Sequence, residues 1–500
     1  MKRAALFLAL ALLLLRVAFL GLPDLFPEEA YYWNYARHLD FGYLDHPPMV
    51  AWLIHLGTSI FGDGELGIRI FAVGSALVTV FFAWRLTELL YDRAAAVQAV
   101  LLVSVLPFFF MTGFMMTPDA PLVACWAGAL YFLARALLQD RASAWVGVGI
   151  CLGLGMLSKY TIALLGPATL VFMTLDPAAR RWWRHPAPYA AVALALAIFS
   201  PVILWNAQHQ WASFAFQSAG RVAEAWRFST HELLLSILAL LTPVGVALAG
   251  NSLFRSASLE TEARRRQLFV RTCTLVPLAV FLLFSFTHRV KLNWTGPLWL
   301  AVIPAMAVAV SGLTNSGPSG LRRAWIGTVA LLFLTAALFL QYLAFGLPGI
   351  GHPKDMALLP VGWSEMGRSL ELQRAAVPRP ANGRVLLVGL DRNFIASEAA
   401  FYHSRQSDSV QETTGAHLFG GPALMYEFWF SPAELSGATL LLVSFERTDL
   451  DRRRIRKRSG GQGEIIEHTL ERHGKKLRPF YTRVVTDYRP AAISEKPSKP

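Results

Sequence analysis

Apolar runs long enough to cross a lipid bilayer recur through the first 345 residues, and they restrict the fold more than any other feature. A membrane-spanning helix needs roughly 20 mostly apolar residues. Eleven runs are predicted as spans, although 143–175 is also consistent with one broken helix. The predicted spans are 4–21, 67–85, 94–112, 119–138, 143–158, 160–175, 187–205, 231–250, 270–286, 294–312 and 323–343.

The composition of the 500-residue chain agrees with this interpretation. Hydrophobic residues make up 54% of it, charged residues only 16%, and the mean hydropathy is +0.42. A soluble chain carries about 25% charged residues. The net charge of +13 alone would be consistent with nucleic-acid binding. Much of the arginine, however, lies in short loops between apolar runs, which is typical of a membrane-topology signal.

The first residues of the chain favour an uncleaved first helix, and the positions of the cysteines argue against disulfides. The N-terminal segment resembles a signal peptide, but it has no small-residue cleavage site before Pro23, and more spans follow. The three cysteines, Cys125, Cys151 and Cys273, all lie in apolar runs, so no disulfide framework is predicted.

Lysines and arginines fall unequally on alternate loops, sixteen in one set and seven in the other. By the positive-inside rule the richer set is cytoplasmic. The N-terminus is therefore predicted inside, and an odd number of spans puts the C-terminus outside. The richer set is Lys2, Arg3, Arg85, Arg93, Arg135, Arg141, Arg180, Arg181, Arg184, Arg255, Arg264, Arg265, Arg266, Arg271, Arg322 and Arg323; the other is Arg37, Arg69, Lys159, Arg221, Arg227, Arg289 and Lys291.

This topology gathers the ionisable groups at one membrane surface. An ion-coupled transporter usually places such groups near the bilayer midplane. Few lie mid-span here, which favours an enzyme over a carrier. The groups predicted at the external face are Glu28, Glu29, Asp45, His46, Asp119, Lys159, Glu224, His288, Arg289 and Lys291.

The chain is predicted to consist of a membrane domain and a smaller external domain. Residues 1–346 form the membrane domain, whose external loop at 22–66 carries two interfacial helices, one over 28–40 and one from Pro47 to Phe61. Residues 347–490 form a small α/β domain, and 491–500 a disordered tail. Within the α/β domain, the pattern predicts strands at 384–390 and 439–445 and a helix at 395–403. The basic run at 452–458 is a solvated face or contacts anionic lipid headgroups.

Three carboxylates are candidates for chemistry. Glu28 and Glu29 are consistent with a helix N-terminus, where they offset the helix dipole. They are equally consistent with a base at the membrane surface. Asp119 follows Thr117-Pro118 at the start of a span, where it is either an N-cap or a functional carboxylate.

The candidate cations are Lys159, His46 and the cluster His288-Arg289-Val290-Lys291. Lys159 precedes Tyr160 between two short apolar runs, where it either snorkels or meets a phosphate. The cluster at 288–291 lies on a surface otherwise poor in cations, which favours anion binding. His46 precedes Pro47-Pro48 and is either structural or a ligand to phosphate or metal.

Several of these stretches resemble one family. Glu28-Glu29-Ala-Tyr-Tyr-Trp33 followed by Asp45-His-Pro-Pro-Met49 is similar to the motifs of membrane glycosyltransferases of the protein-mannosyltransferase superfamily. The branch it most resembles includes aminoarabinose transferase of lipid A and galacturonosyl transferases of lipopolysaccharide. Thr117-Pro-Asp119, Leu157-Ser-Lys-Tyr160 and Lys291-Leu-Asn-Trp-Thr-Gly-Pro297 resemble that branch in the same order, and a weaker likeness lies at 396–402.

The resemblance implies a GT-C fold and a polyprenyl-phosphate-linked sugar as donor. It assigns the catalytic carboxylate to Glu28, where the family usually has Asp, and makes Glu29 and Asp119 further catalytic residues. Lys159, Tyr160, Arg289, Lys291 and His46 are then expected to bind the donor phosphate. Tyr31, Tyr32 and Asp45 are expected to contact the sugar or acceptor.

The resulting hypothesis is a glycosyltransferase at the outer face of a bacterial inner membrane. It would move a sugar from the carrier to a lipid or envelope glycan, such as lipid A or lipopolysaccharide, with inversion at the anomeric carbon. The charge of the leaving phosphate would be stabilised by cations, or by a divalent metal ion held by carboxylates. The alternatives are a protein O-mannosyltransferase-like enzyme and a non-enzymatic flippase of lipid-linked sugars. No nucleic-acid partner is expected.

Overall fold

The computed structural model describes residues 2–223, 225–254, 260–316, 318–352, 359–377, 385–404, 413–472 and 474–491. Four predicted features fall outside these ranges: the external Glu224, the loop cation Arg255, the first residue of the strand predicted at 384–390, and the tail beyond residue 491.

The first 345 residues are almost entirely helical. Short 3₁₀ helices at Tyr160–Leu164, Ala179–Trp183 and Pro297–Ala301 connect some of the α-helices. The α-helices are α1 (Lys2–Phe19), α2 (Pro27–Arg37), α3 (Met49–Phe61), α4 (Glu65–Leu90), α5 (Arg93–Val105), α6 (Pro107–Thr112), α7 (Asp119–Leu137), α8 (Ala144–Ser158), α9 (Leu165–Leu175), α10 (Pro186–Gln208), α11 (Ala212–Gln217), α12 (Ala219–Val222), α13 (Thr230–Phe254), α14 (Thr261–Ser285), α15 (Ile303–Ser316) and α16 (Ser319–Phe345).

Within the described residues, six helices are long and apolar enough to cross a membrane by length and composition: α4, α7, α10, α13, α14 and α16. Five shorter apolar helices accompany them, at Met49–Phe61, Arg93–Val105, Ala144–Ser158, Tyr160–Leu175 and Ile303–Thr314. The polytopic, mainly α class is therefore confirmed, whereas the number eleven stays a prediction. The run at 143–175 is broken at Lys159, whose backbone is extended with φ −161° and ψ 133°.

The chain folds as two compact units. The helical unit comprises Met1–Leu20, Asp40–Leu53 and Arg69–Leu338. The mixed unit comprises Gly21–Leu39, Ile54–Ile68 and Phe339–Pro500. The predicted external loop at 22–66 is therefore shared between the units, with α2 in the mixed unit and the turn before α3 in the helical unit.

The helical unit is built around α7. Of the six long apolar helices, α7 is the most enclosed, because 83% of its 18-residue apolar stretch is buried. Small residues let α8 approach α10 closely: a Cβ at Gly149 would lie 2.7 Å from the carbonyl oxygen of Ala191, and one at Gly153 would lie 2.7 Å from the Cβ of Ile198. Gly-x-x-x-Gly pairs typically allow such close helix packing in membrane proteins. Residues at the start of α7 consequently sit on a rigid element.

The mixed unit contains a five-stranded sheet. Its strands are β1 (Val385–Gly389), β2 (Thr413–Thr414), β3 (Thr439–Ser444), β4 (Ser459–His468) and β7 (Phe480–Tyr488), in the order β2-β1-β3-β7-β4, with β5 (Glu471–Arg472) and β6 (Lys475–Lys476) forming a separate pair. β1 pairs in parallel with β2 and β3, and β7 runs antiparallel to β3 and β4. β1 and β3 are buried along their whole length, as continuous apolar runs predict.

In the described part of the mixed unit after residue 346, the α-helices are α17 (Trp363–Ala376), α18 (Phe394–Ser404), α19 (Tyr426–Trp429) and α20 (Arg453–Lys457). α18 follows β1 through Asp391, whose carboxylate accepts hydrogen bonds from the backbone N–H groups of Phe394 and Ile395. The strands predicted at 384–390 and 439–445 and the helix predicted at 395–403 are confirmed within the described residues.

Candidate functional site

A buried ion pair between Asp119 and Lys159 forms the centre of the polar cluster in the helical unit. The Nζ atom of Lys159 lies 2.9 Å from Oδ1 and 3.0 Å from Oδ2 of Asp119. Asn293 Nδ2 donates to Oδ2 of the same carboxylate at 2.6 Å. The side chains of Lys159 and Asp119 are only 13% and 8% exposed, so this pair is largely removed from solvent. Asp119 therefore fixes a buried ammonium group.

Each member of this cluster lies where a helix begins, breaks or ends. Asp119 is the first residue of α7, and the N-cap position is occupied by Pro118, so Asp119 is not an N-cap. Lys159 follows the last residue of α8. Asn293 lies in the loop after α14, which is anchored because Ser229 Oγ donates to the carbonyl of His288 and accepts from the N–H of Val290. Two helix ends and this loop therefore bring together side chains that lie 40 and 174 residues from Asp119 in sequence.

His46 lies among three cations. Burial, and then the positive charges of Lys159, Lys291 and Arg221, hold the pKa of His46 well below 6.5. His46 is therefore neutral at pH 7, and its imidazole offers one N–H donor while the three neighbours supply charge. Three cations around one polar side chain give this part of the helical unit a positive electrostatic potential.

The loop that carries Asp45 and His46 is held from several sides. Asp40 accepts a hydrogen bond from Trp205 Nε1 at 2.8 Å, and its backbone N–H donates to the hydroxyl of Tyr43 at 3.1 Å. Gly42 is required at this place, because a Cβ there would lie 2.9 Å from the Trp205 ring. Asp45 is buried, and its carbonyl oxygen accepts a hydrogen bond from Gln217. The loop is consequently rigid.

Tyr160 is fixed beside this region. Its hydroxyl lies 2.9 Å from Oγ of Ser213. Asn206 Oδ1 in turn accepts from the backbone N–H groups of Ser213 and Phe214 at 3.1 and 3.2 Å. Asp45 interacts electrostatically with Tyr160. Tyr160 is thus one member of a polar network with its neighbours on α10 and α11.

Arg289 is placed differently from the other predicted cations. Its side chain is 61% exposed, and its Nε lies 3.3 Å from Oε2 of Glu232. Arg227 pairs with the other oxygen of Glu232. Arg289 is therefore a neutralised, exposed cation, whereas Lys159 is buried at the centre of the cluster.

The two adjacent glutamates of α2, in the mixed unit, have different environments. Glu29 is fully buried, and its Oε2 accepts a hydrogen bond from the backbone N–H of Phe26 at 3.0 Å, which caps the start of α2. Glu28 lies one residue earlier in the first turn and is exposed. Of the two carboxylates, Glu28 is the one accessible to a substrate.

α2 is held by α18 and α19 within the mixed unit. The hydroxyl of Tyr402 accepts from the backbone N–H of Leu25 at 2.7 Å and donates to Glu65 Oε1 at 3.2 Å. Tyr31, which is buried, accepts from the backbone N–H of Met425 at 3.2 Å, and Tyr32 is buried against Tyr31. The weak motif at 396–402 therefore supports the helix that carries Glu28, and direct substrate contact by Tyr31 and Tyr32 stays a prediction.

Among the residues that the structure describes, no group of three or more His, Cys, Asp or Glu side chains converges in a way that could hold a metal ion. The oxygens of Asp119 are engaged by the ammonium of Lys159 and the amide of Asn293. Lysine, arginine and amide groups thus carry the positive potential of this cluster.

Two members of the cluster were not among the residues predicted for the site. Arg221 was read only as a loop cation in the topology count, but its guanidinium lies over the rings of Phe216 and Trp294 at 5.5 and 6.0 Å and its charge acts on His46. Asn293 lies inside the Lys291–Pro297 motif without having been singled out. A polar residue within that motif was the available signal for Asn293; Arg221 had none.

Comparisons with known proteins show which sequences and folds this chain is similar to. Residues 45–205 match the family described as dolichyl-phosphate-mannose-protein mannosyltransferase. Over 467 residues the chain is 26% identical to the lipid A galacturonosyltransferase RgtD of Rhizobium johnstonii, covering 88% of this chain and 91% of that protein. The crystal structure of ArnT from Cupriavidus metallidurans bound to undecaprenyl phosphate has a TM-score of 0.63 at 15% identity, covering 96% of this chain and 97% of that one. The chain is a membrane glycosyltransferase with the GT-C fold, and it is similar to members of the protein-mannosyltransferase superfamily.

A third relative of this glycosyltransferase shares a shorter stretch. The undecaprenyl phosphate-alpha-4-amino-4-deoxy-L-arabinose arabinosyl transferase of Pseudomonas aeruginosa is 28% identical over 210 residues, which cover 39% of this chain and 34% of that protein. The curated relatives thus include transferases named for lipid A and for an undecaprenyl-phosphate-linked sugar. A multi-pass membrane enzyme is the conclusion that the comparisons and the helices share.

Proposed function

We propose that this glycosyltransferase moves a sugar from a polyprenyl-phosphate carrier to a lipid A-like or lipopolysaccharide-like acceptor at the outer face of a bacterial inner membrane. In this proposal the N-terminus is cytoplasmic and the mixed unit is periplasmic, as the distribution of arginines predicts. The acceptor hydroxyl attacks the anomeric carbon from the face opposite the phosphate, so the reaction inverts the anomeric configuration.

The observation that carries the proposal is the set of cations around His46 and Asp119. Breaking the bond between the anomeric carbon and the phosphate oxygen leaves a polyprenyl phosphate, a stable anion that needs charge stabilisation more than a proton. Lys159, Lys291 and Arg221 all act on His46 electrostatically, and Lys159 is fixed by Asp119. Preorganised cations in a partly buried setting suit this leaving group, and neutral His46 can donate one further hydrogen bond.

Glu28 is the proposed general base, which removes the proton of the attacking hydroxyl. Its support is its exposure in the first turn of α2, the engagement of its neighbour Glu29 in capping, and the resemblance of the surrounding motif. A carboxylate positioned in this way typically contributes about 10² to 10⁴ in rate. Asp119, whose oxygens hold Lys159 and Asn293, acts in this proposal as a positioning residue for the phosphate site.

The lipid acceptor is proposed from two relatives whose names state one. They are RgtD and the lipopolysaccharide core galacturonosyltransferase RgtA of Rhizobium johnstonii, which is 26% identical over 358 residues. The second candidate is a protein O-mannosyltransferase-like activity, which the description of the matching family at 45–205 favours. The two differ in the acceptor, a glycolipid in one case and a protein hydroxyl in the other.

Deleting the gene and comparing the cell's extracted glycolipids, envelope glycans and glycoproteins by mass spectrometry tests the proposal. We expect one lipid or envelope glycan to lose a single sugar, and to regain it on complementation with the intact gene. Loss of sugar from proteins with unchanged glycolipids would support the protein O-mannosyltransferase alternative. Two results together would favour a flippase: carrier-linked sugar accumulates on the cytoplasmic side of the membrane, and the purified protein transfers sugar to neither class of acceptor in vitro.

A further inference from the structure

An open groove of about 510 Å³ lies in the helical unit beside the connection between α9 and α10, and none of its lining residues belongs to the candidate functional site. Its lining residues are Thr174, Arg180, Arg181, Trp183 and Arg184. The 3₁₀ helix at Ala179–Trp183 supplies most of them, and it is held by the buried Trp182, whose ring packs against Trp145. The groove is therefore formed by an anchored segment.

The groove carries uncompensated positive charge. Arg184 has no ion-pair or side-chain hydrogen-bond partner among the residues that the structure describes. Arg180 donates only through Nε, to the carbonyl of Thr174 at 3.1 Å, and a carbonyl does not neutralise its charge. Arg181 alone is paired, with Asp140 at 2.6 Å. The nearby Asp176 is committed to Arg265 at 2.9 Å.

An apolar, exposed surface adjoins the charged groove. On α10, Tyr189, Val192 and Leu196 recur at helical spacing and are between 53% and 59% exposed. Leu175, at the end of α9, is 55% exposed. Trp183 is also exposed, and the hydroxyl of Tyr189 donates to its carbonyl at 2.8 Å. Tryptophan and tyrosine at this junction are typical of the membrane–water interface.

We propose that this groove binds an anionic phospholipid of the bilayer, with its phosphate at Arg180 and Arg184 and an acyl chain along Tyr189, Val192 and Leu196. Arginines in short loops are common as topology signals, and charge alone would not distinguish this loop. The combination of an anchored concave surface, two unneutralised guanidinium groups and a contiguous apolar helix face is what matches an amphiphilic anion. Basic pockets at the ends of membrane helices bind acidic lipid headgroups on the same physical basis. A soluble phosphate compound would leave the apolar face unused.

The test is binding of phosphatidylglycerol to the full-length protein in detergent, followed by native mass spectrometry, with phosphatidylcholine as the neutral lipid. We expect a clear preference for phosphatidylglycerol. Binding should be about 30-fold weaker in the double variant Arg180→Gln, Arg184→Gln, since each cation near an anionic lipid surface changes the affinity about five- to sixfold. The matched control is the double variant Arg447→Gln, Lys476→Gln, which removes two exposed cations of the mixed unit outside the basic run at 452–458 and should leave lipid binding unchanged.

Two further measurements keep the proposal falsifiable if the glutamine variant folds poorly. The variant Arg180→Lys, Arg184→Lys keeps both charges and should keep the preference for phosphatidylglycerol. In the wild type, raising the salt concentration should reduce that preference, because the contact is electrostatic. Equal binding of both lipids, an unchanged Arg180→Gln, Arg184→Gln variant, or equally tight binding of glycerol phosphate would each overturn the proposal, the last by showing a site for free phosphate compounds.

Discussion

Lys159 Nζ lies within 3.0 Å of both oxygens of Asp119, so the carboxylate at the start of α7 holds a cation. In a largely buried pair, removal of one partner leaves an uncompensated charge, which costs about 3–5 kcal/mol. In the proposed mechanism the two carboxylates therefore have separate roles: Asp119 positions a cation for the phosphate, and the exposed Glu28 accepts the proton.

The single variant Lys159→Met should lower the free energy of unfolding by about 3 kcal/mol, because the Asp119 carboxylate stays buried with only Asn293 as partner. The double variant Asp119→Asn, Lys159→Met should recover most of that stability and none of the activity. Thermal unfolding in detergent and a transfer assay measure the two effects. As a control, breaking the exposed pair of Arg85 and Glu88 with Arg85→Gln should cost less than about 1 kcal/mol. Wild-type stability of Lys159→Met would contradict the buried pair.

Tyr402→Phe should lower kcat about tenfold while leaving the donor KM unchanged, because the backbone N–H of Leu25 loses its acceptor and the start of α2 shifts under Glu28. Tyr481→Phe is the matched control, since the Tyr481 hydroxyl has no hydrogen-bond partner in the described part of the chain. Steady-state kinetics with varied donor distinguish the two. Equal kinetics for both variants would mean that Tyr402 does not position α2 for catalysis.

Stability should fall on acidification in a way that depends on His46. The folded-state pKa of His46 is held well below 6.5 by burial and by Lys159, Lys291 and Arg221, so below pH 6.5 the unfolded chain takes up a proton that the folded chain does not. This lowers the free energy of unfolding by about 1.4 kcal/mol per pH unit between those two pKa values, and contributes nothing above pH 6.5. His46→Gln should reduce the acid dependence, whereas His55→Gln, at an exposed histidine, should not. Identical pH profiles for wild type and His46→Gln would contradict the assignment.

Substitutions of the cations should raise the donor KM by amounts that depend on where each cation lies in the cluster. Arg221→Gln and Lys291→Gln should each raise the donor KM about tenfold, the loss expected for one charge-assisted hydrogen bond. Arg289→Gln should have a smaller effect, because Glu232 already neutralises Arg289 and its side chain is exposed. Donor titrations at saturating acceptor give the ranking. A larger effect of Arg289→Gln than of Lys291→Gln would show that the phosphate binds at the other end of the 288–291 segment.

Sequence reasoning found what depends on local pattern and missed what depends on distant contacts. The apolar runs located the helices, and the buried strand at 385–389 followed from its continuous apolar residues. The sequence left open whether 143–175 forms two short spans or one broken helix, and the structure places the break at Lys159.

The different roles of neighbouring residues were also hidden in the sequence. Glu28 and Glu29 are chemically alike, and only the hydrogen bond from the Phe26 N–H shows that Glu29 is a cap. Arg69 was counted as a loop cation at the external surface, yet it is fully buried and donates to the carbonyl of Leu20 at 3.0 Å. Arg221 likewise entered the count as a topology residue. The partners of Arg69 and Arg221, which are Leu20 and His46, lie dozens of residues away in sequence, so no local pattern indicates them.

The most direct measurement of the central claim is the rate of sugar transfer by purified Glu28→Gln enzyme in lipid vesicles, compared with wild type and with Glu28→Asp. Glutamine keeps the size of the side chain but cannot accept the proton, so we predict a rate at least about 100-fold below wild type. Glu28→Asp, which restores the carboxylate usual in the family, should stay within about tenfold of wild type, since a general base of similar pKa remains. A Glu28→Gln enzyme that transfers sugar at nearly the wild-type rate would contradict the account.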